Sequence, residues 1–290
     1  MNPAKRGARD LTPYALLGPT LIFLAVFFAW PMGQSLVLAV QDADGAWSLA
    51  PMGRMVNDLA FLEAIRNTIL LTAVVVPAQV ILALIMALLL VTDLRWSGFF
   101  LYAWAIPLAI SDLAAGVVWL SIFTDRGYLN SLLVGLGLSE TGYSFLSYEH
   151  PASLFLAIAV AETWRATALV MVILIAGLQM IPKDYGEAAE VFGATTWQRI
   201  RYVTLPLLRP SLQVALILRT ILAFQVFAVV IALAGRQLPV LAYEAYRWYG
   251  DLRNPNIAAA YALLIMLFSI VNTAIYLRAL GVRDEQASMV

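Results

Sequence analysis

Thr68-Ile-Leu-Leu-Thr-Ala-Val-Val-Val-Pro-Ala-Gln-Val-Ile-Leu-Ala-Leu-Ile-Met-Ala-Leu-Leu-Leu-Val91 is an uninterrupted apolar run without a single charge. A helix rises about 1.5 Å per residue, so about 20 such residues cross the ~30 Å hydrocarbon layer of a bilayer. Working outward, five further runs have the same character: Tyr14 to Val40, Phe99 to Phe123, Ser153 to Ile181, Pro210 to Ala234, and Ile257 to Leu280. The expected fold class is therefore an all-α membrane protein with six transmembrane helices. Composition agrees, since 62% of the 290 residues are hydrophobic and only 12% are charged, about half the ~25% usual for soluble domains. A soluble chain of this length could not bury that much apolar surface.

The first run follows Lys5, Arg6 and Arg9, and Val37-Leu38-Ala39 resembles a cleavage site. Its ~25 apolar residues exceed the ~7 to 15 of a signal peptide, so a retained helix is expected. With the N-terminus inside, ten basic residues fall in inner segments (Lys5, Arg6, Arg9, Arg95, Lys183, Arg199, Arg201, Arg209, Arg278, Arg283) and six in outer ones (Arg54, Arg66, Arg126, Arg236, Arg247, Arg253). That bias favours both termini in the cytoplasm. The domain reading is a tail over 1–13, a six-helix domain over 14–280 containing a loop at 182–209, and a tail over 281–290. Pro77 and Pro107 fall inside spans, where kinks are expected.

Eighteen basic residues balance eighteen acidic ones, and no dense Lys/Arg run suggests nucleic acid. The chain has no cysteine, which removes disulfides, thiolate metal sites and cysteine nucleophiles together. Its one histidine, His150, precedes Pro151 in an expected loop and reads as solvated or interfacial; a metal would need several partners. A phosphate-cradling Gly-x-x-x-x-Gly-Lys-Ser/Thr is absent: the only lysines, Lys5 and Lys183, stand in other contexts.

Between the fourth and fifth runs, residues 181–206 read IPKDYGEAAEVFGATTWQRIRYVTLP. A mere connector needs no such length. Pro182 can start a helical turn, Glu187-Ala188-Ala189-Glu190 favours helix, and Gly193 can end it. Thr195 or Thr196 can then cap a second helix carrying Trp197, Ile200 and Val203. Two short helices meeting at a glycine form a compact knob that can dock on a partner, or an amphipathic loop on the bilayer face.

At these residues the sequence resembles the EAA loop of binding-protein-dependent ABC importer permeases: Glu-Ala-Ala, three residues, Gly, nine residues, Ile, one residue, Leu-Pro. Glu187, Ala188, Ala189, Gly193, Leu205 and Pro206 match, with Val203 in place of the usual Ile and Phe192 where carbohydrate-type members often have Asp. The likeness continues through Tyr14-Ala-Leu-Leu-Gly-Pro19, Trp30-Pro31, Asn67-Thr68 and Gly127-Tyr-Leu-Asn130, and together these resemble the maltose-type sugar permeases. A glycine-glycine-proline signature common after their fifth helix is altered to Gly235-Arg-Gln-Leu-Pro239.

The resemblance implies a type I ABC importer permease in the inner membrane of a prokaryote. It implies two ATPase subunits, a second homologous permease (a homodimer being the other possibility), an extracytoplasmic solute-binding protein, and a polar solute of sugar type. ATP and magnesium would sit on the partner ATPase, and this chain would bind no cofactor and catalyse nothing. The first short helix of the loop would dock on the ATPase, Glu187 offering charge, Ala188 and Ala189 close packing, and Gly193 the change of direction. Arg199 and Arg201 can reach the ATPase or anionic lipid.

Charges within hydrocarbon cost about 2.5 to 3.5 kcal/mol each on insertion scales, which makes them functional candidates. Asp112 in the third run, Glu162 and Arg165 in the fourth and Arg219 in the fifth can share a depth and balance two acids against two bases. Structural ion pairing and lining of a polar path both keep them from lipid. Trp119 and Trp164 can stack on a sugar ring or serve as interface anchors. Gln225 and Asn272 can bridge helices or meet solute. Two other classes stand beside the importer: an ion-gradient-driven secondary transporter, in which the buried charges relay ions, and an intramembrane enzyme, for which only Asp112 and Glu162 would serve as acids.

Overall fold

In the computed structural model, which describes residues 12–91 and 95–281, the chain is a bundle of helices. The first span is α1 (Thr12–Leu24), a π-helical turn at Ala25–Ala29, and α2 (Trp30–Ala39). The turn has a local cause: the ring of Pro31 would clash with the carbonyl four residues back, and widening the ladder relieves it, the Trp30 amide donating to Ala25 instead. None of this span's apolar window is buried within the chain. A short α3 (Ala50–Val56) leads into α4 (Phe61–Val91), which stays helical through Pro77.

The third span departs from expectation. Instead of one helix over Phe99 to Phe123, α5 (Ser97–Ala105) passes into a 3₁₀ turn at Ile106–Ala109, extended backbone follows, and α6 (Asp112–Phe123) begins anew. The two parts bend by 104°. Pro107 weakens the ladder, and the Ser111 side chain accepts the Ala114 amide as a fresh N-cap, so the break is complete where only a kink was foreseen. After α7 (Tyr128–Gly135), α8 (Pro151–Gln179) crosses without interruption.

The loop helices α9 (Lys183–Val191) and α10 (Thr196–Arg199) come next, then a π-helical segment at Ile200–Thr204, α11 (Leu205–Leu207) and α12 (Arg209–Phe224). Here too a proline, Pro206, follows the widened turn, whose ladder closes from the Leu205 amide to the Ile200 carbonyl. The fifth span is likewise corrected: rather than running to Ala234, α12 ends at Phe224, and α13 (Ala228–Leu233) turns away to bury Val229, Val230 and Leu233. These pack with Leu71 of α4 and Leu154 and Ile158 of α8. α14 (Leu241–Gly250) precedes the last span, α15 (Pro255–Ala279). Among the described residues there are, by length and apolarity, four continuous helices able to span, and up to six if each bent pair counts as one.

Small residues set the close contacts, as expected where lipid supplies no hydrophobic drive between helices. Ala83 and Ala87 of α4 share a core with Val170 and Leu174 of α8. A Cβ on Gly177 would overlap the Ser211 side chain, which fixes how closely α8 approaches α12. Asn67 donates to the Pro239 carbonyl (2.9 Å), and the Leu241 amide donates to the Thr68 hydroxyl (3.0 Å), tying the start of α14 back to α4. Asp58 accepts from Arg247 and Trp248, both at 2.7 Å, and ties α14 to the segment ahead of α4. Lys5, Arg6, Arg9 and Arg283, with residues 1–11 and 282–290 of the two tails, lie outside the described residues.

Candidate functional site

The loop folds into the two short helices that its spacing predicts. Gly193 sits at φ +80°, a backbone region that only glycine enters without cost, and a Cβ there would meet nothing. Thr195, of the two candidates, caps α10: it accepts the Gln198 amide while its own amide donates to Gln198 Oε1 (2.7 Å), a capping box. Arg199 pairs with Glu190 at 3.0 Å across the turn, so the helices hold each other. Glu187 and Ala188 face outward, Ala189 is half-buried, and Leu205 and Pro206 are half-buried at the start of α11. Val191 and Phe192 stand 86% and 91% exposed at the tip.

The chain passes from this knob into α12 through a bend of 68°. One face of α12 carries Arg219, which is 1% exposed and meets Glu162 Oε1 of α8 at 2.6 Å. Glu162 also accepts from Arg165, at 3.0 Å from Nε and 2.7 Å from a terminal nitrogen. Arg165 reaches on to Asp112 at 2.6 Å. All four predicted charges therefore form one chain of contacts joining α6, α8 and α12. Its exposed end is Asp112, 58% exposed where α6 begins after the break of the third span, and its other end is the wholly buried Glu162–Arg219 pair. Two acids neutralise two bases, which is what makes such burial tolerable.

The sequence reading omitted Gln79. Its side chain accepts from Arg219 Nε and donates to the Glu162 backbone carbonyl (2.8 Å), bringing α4 into the network. The signal was a lone amide two residues beyond Pro77 in an apolar run. One terminal nitrogen of Arg219 has no hydrogen-bond partner.

The remaining candidates separate from this cluster. Trp119 and Trp164 meet each other edge to face at 5.9 Å, with Trp119 stacked on Phe123 at 5.4 Å and packed against the core of α4, α8 and α13. Asn272 lines a crevice of about 420 Å³ with Thr72, Thr220 and Tyr276, and its Nδ2 makes no hydrogen bond. Gln225 lines a different crevice of about 630 Å³ with Ser269 and Thr273. His150 stacks on Tyr143 at 5.0 Å ahead of α8.

Residues 49–279 match the family described as binding-protein-dependent transport system inner membrane component. Among individual relatives, the trehalose/maltose transport system permease protein of Thermococcus litoralis is 33% identical over 91% of this chain and 92% of its own. The lactose transport system permease protein of Rhizobium radiobacter is 30% identical over 75% of this chain and 74% of its own. A bacterial ABC transporter involved in import of the acidic polysaccharide alginate superposes with a TM-score of 0.78 at 22% identity, covering 94% of this chain and 96% of that one. That likeness is one of fold.

Proposed function

Because this chain belongs to the inner membrane components of binding-protein-dependent transport systems, and is thus the permease of an ABC importer rather than an ion-gradient-driven carrier, we propose that it moves a sugar or related polar solute inward by alternating access. Relatives named for trehalose/maltose and lactose transport support the solute class. In this reading two ATPase subunits bind ATP and magnesium and hydrolyse the nucleotide, a second homologous permease completes the pathway, and a solute-binding protein delivers cargo at the outer face. Both termini lie in the cytoplasm, the tails over 1–13 and 281–290 flank the helical domain, and the loop at 182–209 meets the ATPase.

The observation that carries the coupling role is the continuity from knob to network. Closure of the ATPases presses on α9 through Glu187, Ala188 and Ala189, and Gly193 sets the angle at which α10 receives the push. The helix running through Leu205 and Pro206 then turns α12, and with it Arg219. Arg219 and Glu162 are too buried to meet solute and serve as the structural pair. Asp112, exposed where the third span breaks, and the partly buried Arg165 beside it form the part of the network that meets the path, and Trp119, Gln225 and Asn272 are its more remote candidates.

The test is Glu187→Lys in the assembled transporter. Transport-coupled ATPase activity should be lost while the chain still inserts and assembles. Wild-type transport and ATPase stimulation would contradict the assignment of α9.

A further inference from the structure

The inner ends of α4 and α8, together with the loop helices, enclose a groove of about 290 Å³. One side is apolar, formed by Leu88, Leu178, Ile200 and Val203, and it opens beside Val91, which is 48% exposed at the last turn of α4. The other side is polar and cationic, formed by Lys183, Thr196 and Arg199, and among the described residues no carboxylate lines it. Arg199 donates to Glu190 (3.0 Å) and Thr196 (3.4 Å) from its two terminal nitrogens, which leaves further N–H groups of its guanidinium free. Glu190 itself is 66% exposed and outside the lining. The groove is also bordered by Pro182, the residue that opens α9 without any side-chain cap.

The reading that this loop faces the cytoplasm puts the groove at the inner edge of the bilayer. Its apolar half then lies level with acyl chains and its cationic half level with headgroups. We propose that the groove holds one anionic phospholipid of the inner leaflet, its chain along Leu88 and Leu178 and its phosphate on Lys183 and Arg199. Charge selects the class: Lys183, and the N–H groups that Arg199 keeps beyond its pair with Glu190, favour an anionic headgroup over a zwitterionic one. Such a lipid touches both the span ends and the loop helices, so leaflet composition would set how firmly the knob is held against the bundle.

The test uses the full chain purified in detergent with equal amounts of phosphatidylglycerol and phosphatidylcholine, with bound lipid counted by native mass spectrometry. Phosphatidylglycerol should be retained over phosphatidylcholine by at least about fivefold, roughly the contribution of one interfacial cation. Lys183→Gln with Arg199→Gln should abolish the preference, whereas Arg54→Gln with Arg126→Gln, the same charge loss elsewhere, should leave it intact. Ile200→Trp keeps both cations but fills the apolar side, and it should also lower retention. Equal retention of the two lipids by the wild type would overturn the proposal, as would an undiminished preference in the double Gln variant or in Ile200→Trp. Retention in detergent does not depend on which side of the membrane the loop faces; thiol labelling at position 192 reads that separately.

Discussion

Glu162 accepts hydrogen bonds from two guanidinium groups and is itself 1% exposed, so each of its neighbours depends on its charge. Glu162→Gln leaves Arg219 buried without a counter-ion, a change that costs about 3–5 kcal/mol when one member of a buried pair is removed. Asp112→Asn breaks the exposed end only and should cost far less. Unfolding of the two variants in detergent checks this ranking, and equal losses would contradict it. Outside the spans, burial holds the Glu244 carboxyl above the usual carboxylate range, with Arg247 pulling the other way. A raised carboxylate pKa means that the folded chain holds the proton more tightly than the unfolded one. This contribution is therefore complete below the ordinary glutamate value and is lost as pH rises through the raised one. Glu244→Gln should flatten that part of the stability profile; a slope as steep as the wild type's would show that other groups set it.

Among the elements, the loop and the third span show what local sequence can and cannot settle. The capping box at Thr195 and the left-handed Gly193 follow from residues within a few positions of each other, and the loop was legible on that account. Since a Cβ at Gly193 meets nothing, substitution there costs backbone strain alone, about 1–2 kcal/mol, and less for Asn, which tolerates the left-handed region. Coupled transport should therefore fall in the order Gly193, Gly193→Asn, Gly193→Val, with insertion unchanged. An Asn variant as impaired as the Val variant would mean that the conformation is not what matters. Pro77 and Pro107 look alike in sequence, yet α4 continues through the first while the third span breaks after the second. The difference lies downstream, where Ser111 offers α6 a cap of its own.

At the scale of the whole molecule, the arrangement of faces carries the proposed function. The chain has no native cysteine, so single cysteines at Leu59 and Phe192, both almost fully exposed, give a clean topological assay. An impermeant thiol reagent should label Leu59→Cys on intact cells and Phe192→Cys only in inside-out vesicles. Labelling of both from one side would remove the cytoplasmic ATPase contact on which the coupling scheme depends. The first span packs on this chain chiefly where α2 meets α15, and the rest of its apolar surface is left uncovered by this chain.

The amino-acid sequence alone determined six apolar stretches long enough to cross a membrane, two short helices between the fourth and fifth, and four charges within those stretches that balance as two acids and two bases. Each follows from a cost that no tertiary detail can remove: hydrocarbon does not solvate peptide groups or ions. Only the tertiary structure decided which charges touch, that Gln79 joins them, that the third span breaks at Asp112 and that the fifth ends at Phe224. Those outcomes depend on which neighbouring helix supplies a partner or a surface at a given depth, and that is settled by packing between segments far apart in the chain.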